Sequence, residues 1–154
     1  MGTLQWLAIK TRPDIAAITS ILASLIVRCP SEVVRVTGGV WKYLASTWNV
    51  TLTYHVRWEG QIGFSQLSRP MEPLRAVTMT DASFAPGGDK SRSGYCIYLG
   101  GHLVHWGSAK QQLTALNSCE AEFEAAVVGV KQSGGVIDAV KDIHIGWRLR
   151  WSCR

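Results

Sequence analysis

The 154-residue chain has four cysteines but no C-x-x-C pair and no close cysteine–histidine cluster; Cys29, Cys96, Cys119 and Cys153 stand far apart. That spacing argues against a structural zinc site and makes reduced thiols the default expectation. A standard signal peptide is also missing, because Thr11-Arg12-Pro13-Asp14 interrupts the N-terminus before its apolar stretch begins. The stretch itself, Ile15 to Val27, is too short and too rich in Ser, Thr and Ala for a membrane span. Trp6 occupies the position where a myristoylation site prefers Ser or Thr. There is no internal repeat and no low-complexity tract. These absences predict a soluble intracellular protein, cytoplasmic or nuclear, with no membrane partner.

What is present is ample apolar material and a basic balance. Hydrophobic residues make up 47% of the chain, enough for a real core in one domain, or in a small domain with an incomplete neighbour. The formal charge of +5 suits an anionic partner such as nucleic acid, though it falls short of a polybasic tail. Seven tryptophans can stack on bases, but burial is their commoner use. Asn49-Val50-Thr51 fits the glycosylation triplet, a weak pattern without secretion.

Hydrophobic spacing divides the chain in two. Pro13 and Asp14 open a helix in which Ile15, Ile18, Leu22 and Leu25 recur at helical intervals. Cys29-Pro30-Ser31 breaks it and offers Ser31 as the next N-cap. Val33, Val36, Val40, Trp41 and Leu44 then mark a second helix, weakened by Gly38-Gly39. Residues 55–64 suit a strand, and the two prolines in 65–74 suit a linker. From there strands take over: residues 77–80, the β-rich "GYCIYL" and "HLVHWGS", joined by glycine-bearing turns, predict an antiparallel meander. A helix from Asn117 or Ser118 to Gly134-Gly135 follows. In "WRLRW", Trp147, Leu149 and Trp151 alternate with arginines, which predicts a last, partial strand.

Two acids invite a chemical reading. Asp81 ends the first strand, where turn chemistry is the ordinary reason for an aspartate. At about 100° per residue, Glu120 shares a helical face with Phe123, Val127 and Val130, so it leans toward whatever that face covers. A carboxylate at an apolar interface needs a partner or a cation. Equally, with Asn117 as cap, Glu120 sits where it completes a capping box.

The ordered set "TDASFAPGGDKSRSGYCIYLGG" and "HWGSAKQQLTALNSCEAEF" resembles the ribonuclease H domain of copia-type (Ty1/copia) retrotransposon Pol polyproteins. The match runs through Asp81, Ser93-Gly94-Tyr95, Leu99-Gly100-Gly101, Trp106, Ser108, Lys110 and Gln111. It continues in Ala115, Leu116, Ser118, Glu120, Ala121 and Glu122. Upstream, Thr11-Arg12-Pro13-Asp14 and Lys42-Tyr43-Leu44 look like the end of that family's reverse transcriptase and its connection. The resemblance implies residues 1–72 as a mostly helical reverse-transcriptase-end and connection remnant, and residues 73–154 as a truncated ribonuclease-H-like domain. The expected fold is α/β: a mixed sheet of three antiparallel strands with a partial fourth, a central helix, and a helical segment in front.

The family hydrolyses the RNA strand of RNA–DNA hybrids with two divalent metals about 3.5–4 Å apart. By its pattern Asp81 and Glu120 are the catalytic, metal-holding carboxylates, for Mg²⁺ or Mn²⁺. A third aspartate is expected near the end of a fourth strand, where this chain has Cys153, a poor ligand for Mg²⁺. A fourth acid is missing, and Asp138 and Asp142 lie on what reads as a solvated helix. Lys90, Arg92, Lys110 and the Arg148/Arg150 pair are candidates for phosphate contacts. His102 and His105 read as packing or solvated residues. The resemblance therefore implies an inactive fragment; the alternatives are a non-catalytic nucleic-acid-binding remnant or a decayed reading frame.

Overall fold

Leu4 and Ala8, one turn apart, are buried together with Ile15, Leu22, Val33, Val40 and Leu44 in one apolar cluster. The computed structural model that shows this describes residues 1–54, 76–85 and 90–151, with residues 144–151 described by backbone alone. The cluster is the meeting point of three helices: α1 (Gly2–Lys10), α2 (Ala16–Leu25) and α3 (Pro30–Ser46). A 3₁₀ turn, Pro13–Ile15, leads into α2. The sequence pattern anticipated α2 and α3 but not α1, whose inward positions are too few to show a period. The next helix starts two residues earlier than expected. Pro30 takes its first position, where a missing N–H costs nothing, so Cys29 rather than Ser31 is the cap residue. Gly38 and Gly39 lie inside α3 without breaking it.

The meander is as expected. Strands β1 (Ala76–Ser83), β2 (Arg92–Leu99) and β3 (His102–Lys110) form an antiparallel sheet in the order β1-β2-β3. Gly100 and Gly101 both adopt positive φ, 56° and 83°, between the paired ends Leu99 and His102. Two positive φ values in a two-residue hairpin need glycine, and they match the strands' own twist.

Side chains alternate across the sheet, so each face has its own helix layer. Thr78 and Thr80 face α4 (Ser118–Trp151): the Thr78 hydroxyl hydrogen-bonds the Ser133 hydroxyl at 2.7 Å, and Thr80 lies against Gly129. Trp106 points the other way, and its indole N–H donates to the Ala8 carbonyl of α1 at 2.6 Å. That carbonyl is among the last four of α1, which have no partner within the helix. Arg92, on the same face, donates to the Ser20 hydroxyl of α2. The result is helices, sheet, helix in three layers. Trp106→Phe keeps the buried ring but strands the carbonyl, so it should cost about 1–3 kcal/mol in urea unfolding. An unchanged midpoint would show that the bond adds nothing.

Three expectations fail on α4. The helix runs through Gly134 and Gly135 to Trp151, so the glycine pair does not end it and the partial fourth strand is helix instead. Each glycine weakens a helix by about 1 kcal/mol, too little to stop one already nucleated. A five-residue alternation is satisfied by helix elongation, which supplies its own hydrogen bonds, whereas a strand must find an edge. The inward face is also different. Ala121 and Ala125 are fully buried and Gly129 touches the threonines, while Phe123 and Val130 point to solvent. Small residues win because the helix lies close on the sheet. The 72/73 division, the strand expected in 55–64, the glycine turn at 87–88 and Cys153 all lie outside the described residues.

Candidate functional site

Asp81 pairs across the ladder with Gly94 and is exposed. Strand alternation puts it on the face opposite Thr80, toward α2, where it borders a groove of about 460 Å³. Ala16, Ala17 and Ile21 line one wall of that groove, and Met79, Tyr98 and Trp106 contribute to the other. Cys96 also lines it, and burial pushes its thiol pKa up, away from the reactive thiolate.

Glu120 is on the other side of the sheet. Its backbone N–H donates to the Asn117 side-chain oxygen at 2.9 Å, and its carboxylate accepts from the Leu116 N–H at 2.6 Å. This is the reciprocal arrangement of a capping box, with the glutamate reaching one residue further back than usual. An exposed acid at a helix start also meets the positive end of the helix dipole. Of the two roles open to Glu120, the structure displays the capping one.

A pair of divalent cations needs several carboxylates converging on one point, because the ions repel each other. Asp81 and Glu120 are separated by the sheet. Among the described residues no three Asp, Glu, His or Cys side chains come together. Asp138 is exposed and paired with Lys141 at 3.2 Å. Among the described residues, these carboxylates do not converge on one point.

The basic candidates are also engaged. Lys90 donates to the Gln112 carbonyl at 2.6 Å, and Arg92 is turned into the interface with α2. Lys110 lies opposite Arg92 on the neighbouring strand. Side chains of Arg148 and Arg150 lie outside the described set. His105 packs under α4, within 3.2 Å of both the Tyr95 hydroxyl and the Gln132 side-chain oxygen. The His102 ring lies tilted against Tyr54, with centroids 5.7 Å apart.

One residue that sequence reasoning treated only as a motif position proves central. The buried Gln111 side chain donates to the Ser93 hydroxyl at 2.9 Å and to the Ala121 carbonyl at 2.8 Å. It therefore ties β2 to the first turn of α4. Its backbone N–H donates to the Ser91 carbonyl, and the Ser91 hydroxyl accepts from the Ala85 N–H. A glutamine just past a strand carries no periodic signal, so only its place in the motif marked it.

No described helix is long and apolar enough to cross a membrane. No family model matches the chain, and no solved structure matches it. It is 30% identical over 129 residues to the "Retrovirus-related Pol polyprotein from transposon RE1" of Arabidopsis thaliana, which covers 81% of this chain and only 8% of that protein. It is 32% identical over 130 residues to "Secreted RxLR effector protein 161" of Plasmopara viticola, which covers 81% of this chain and 80% of that protein.

Proposed function

The chain is retrotransposon-related and belongs to the family of Secreted RxLR effector protein 161 of Plasmopara viticola, and from that premise we propose that it keeps a copia-type ribonuclease H scaffold without the hydrolysis. In this reading residues 1–72 descend from the reverse-transcriptase end and connection, and residues 73–154 from the hydrolase domain. The observation that carries it is the fate of the two acids. Glu120 caps the helix that begins beside it, and Asp81 lies across the sheet. Several other residues behind the resemblance have structural roles as well. Trp106 holds α1, Gln111 holds α4, and Gly100-Gly101 makes the hairpin. Selection for the fold alone accounts for them.

Cleavage of a labelled RNA–DNA hybrid tests this directly. We expect none in Mg²⁺ or Mn²⁺ from a folded sample, and no rise in melting temperature on adding either ion. Cleavage that disappears in Asp81→Asn would overturn the proposal.

Hybrid binding without cleavage is the second reading, favoured by the +5 charge. If Lys90, Arg92 and Lys110 bind phosphates, affinity must fall steeply with salt. The Arg92 contact with α2 speaks against its share in that role.

A further inference from the structure

Phe123, Val127, Val130, Gly134 and Ile137 are spaced four, three, four and three residues apart along α4, the interval of a coiled-coil seam. The seam lies on the side of the helix away from the sheet. Phe123 is 72% and Val130 71% exposed, with Val127 and Ile137 also open to solvent. Leu116, exposed just before the helix, prolongs it. A surface helix normally hides its apolar stripe and shows solvent its polar face. Here small residues already serve the sheet, and a second stripe is left uncovered among the described residues.

We propose that this stripe pairs with the same stripe of a second copy, the two α4 helices crossing antiparallel about a two-fold axis between residues 128 and 129. The proposal stands independently of the hydrolase ancestry. Three features select this occupant and register. Val127 then meets Val130 of the other copy at the centre. Phe123 falls opposite Gly134, around which a side chain would find open space, so the largest knob faces the emptiest hole. Glu124 comes beside Lys131 of the other copy, twice by symmetry, on one flank of the seam. The same register sets Ile137 against Glu120 of the other copy and brings Asp138, which already carries Lys141 as partner at 3.2 Å, beside that glutamate. From Phe123 to Ile137 the seam runs about 21 Å. That is short beside interfaces of about 1,200–2,000 Å², so the dimer is a weak, concentration-dependent one.

Sedimentation of the full chain across a concentration series reads this out. The wild type should shift from monomer to dimer as concentration rises into the tens of micromolar. Val130→Glu places like charges near the axis and should give monomer at every concentration, with an unchanged far-ultraviolet spectrum. Val130→Lys should do the same, and mixing the two variants should restore a dimer, which loss of folding cannot mimic. Lys131→Glu should weaken self-association several-fold. A wild type that stays monomeric would overturn the proposal, leaving the stripe to another segment or another partner. A Val130→Glu chain that dimerises as the wild type does would overturn it equally.

Discussion

Gly129→Ala should destabilise the protein by about 1–2 kcal/mol, against the ordinary trend for alanine in a helix. Alanine for glycine in a helix interior stabilises by about 1 kcal/mol. At this position, however, an added Cβ would sit 2.3 Å from the Thr80 methyl and 3.1 Å from the Thr78 methyl. Threonine in a strand is stiff at its first torsion, and the Thr78 hydroxyl is held by Ser133. Neither methyl can swing away cheaply, so the helix must lift from the sheet. Overpacking of this kind costs about 1–3 kcal/mol, more than the helix gains. Gly135→Ala is the matched control, because nothing lies within 4 Å of its added Cβ. It should stabilise by about 1 kcal/mol. Urea unfolding of the two variants decides the matter: opposite shifts support the close helix–sheet approach, and two stabilising shifts would sink it.

The same crowding explains what the sequence revealed and what it hid. The meander was legible because β-branched and aromatic residues alternate between glycine turns, and Gly100-Gly101 meets the positive-φ demand of a tight hairpin. Helices α2 and α3 were legible from Ile15, Leu22, Val33, Val40 and Leu44, all of which are buried. The face of α4 was misread because hydrophobicity pointed to Phe123 and Val130, whereas steric fit chose Ala121, Ala125 and Gly129. Periodicity reports where apolar residues lie, not how closely a helix must approach its sheet. For the candidate site the acids were found, but their meeting was not something spacing could establish. Strand parity sent Asp81 toward α2, and the capping geometry engaged Glu120 locally. Gln111 was hidden for a different reason: its bonds join residues 18 and 10 positions away, and no local pattern announces them.

Arg12 carries the largest polar effect, and its replacement by methionine should cost about 1.5–3 kcal/mol, the range for hydrogen bonds made by a charged group. The side chain is only 9% exposed, yet its donors are well used. Nε and Nη2 donate to the Asp14 carboxylate at 3.0 and 2.7 Å, while Nη1 and Nη2 reach the Thr47 carbonyl and hydroxyl at 3.1 and 2.7 Å. The guanidinium also lies 5.6 Å from the centre of the Tyr43 ring. It thus clamps the α1–α2 connection to the end of α3, where a cation suits the negative helix terminus. Methionine preserves the stem's packing, so the loss reports the polar head; lysine, lacking the planar fork, should recover only part of it. A pH signature accompanies the clamp. The hydrogen bond from Arg12, aided by one from the Tyr43 hydroxyl and opposed by desolvation, holds the Asp14 carboxyl below the ordinary carboxylate range. Because the folded pKa is the lower one, this stabilisation is complete above the unfolded value and is lost as pH falls through the folded value. The wild type should therefore lose stability faster than Asp14→Asn as pH drops below about 4. Parallel acid limbs for the two proteins would show that Asp14 is not held by the clamp.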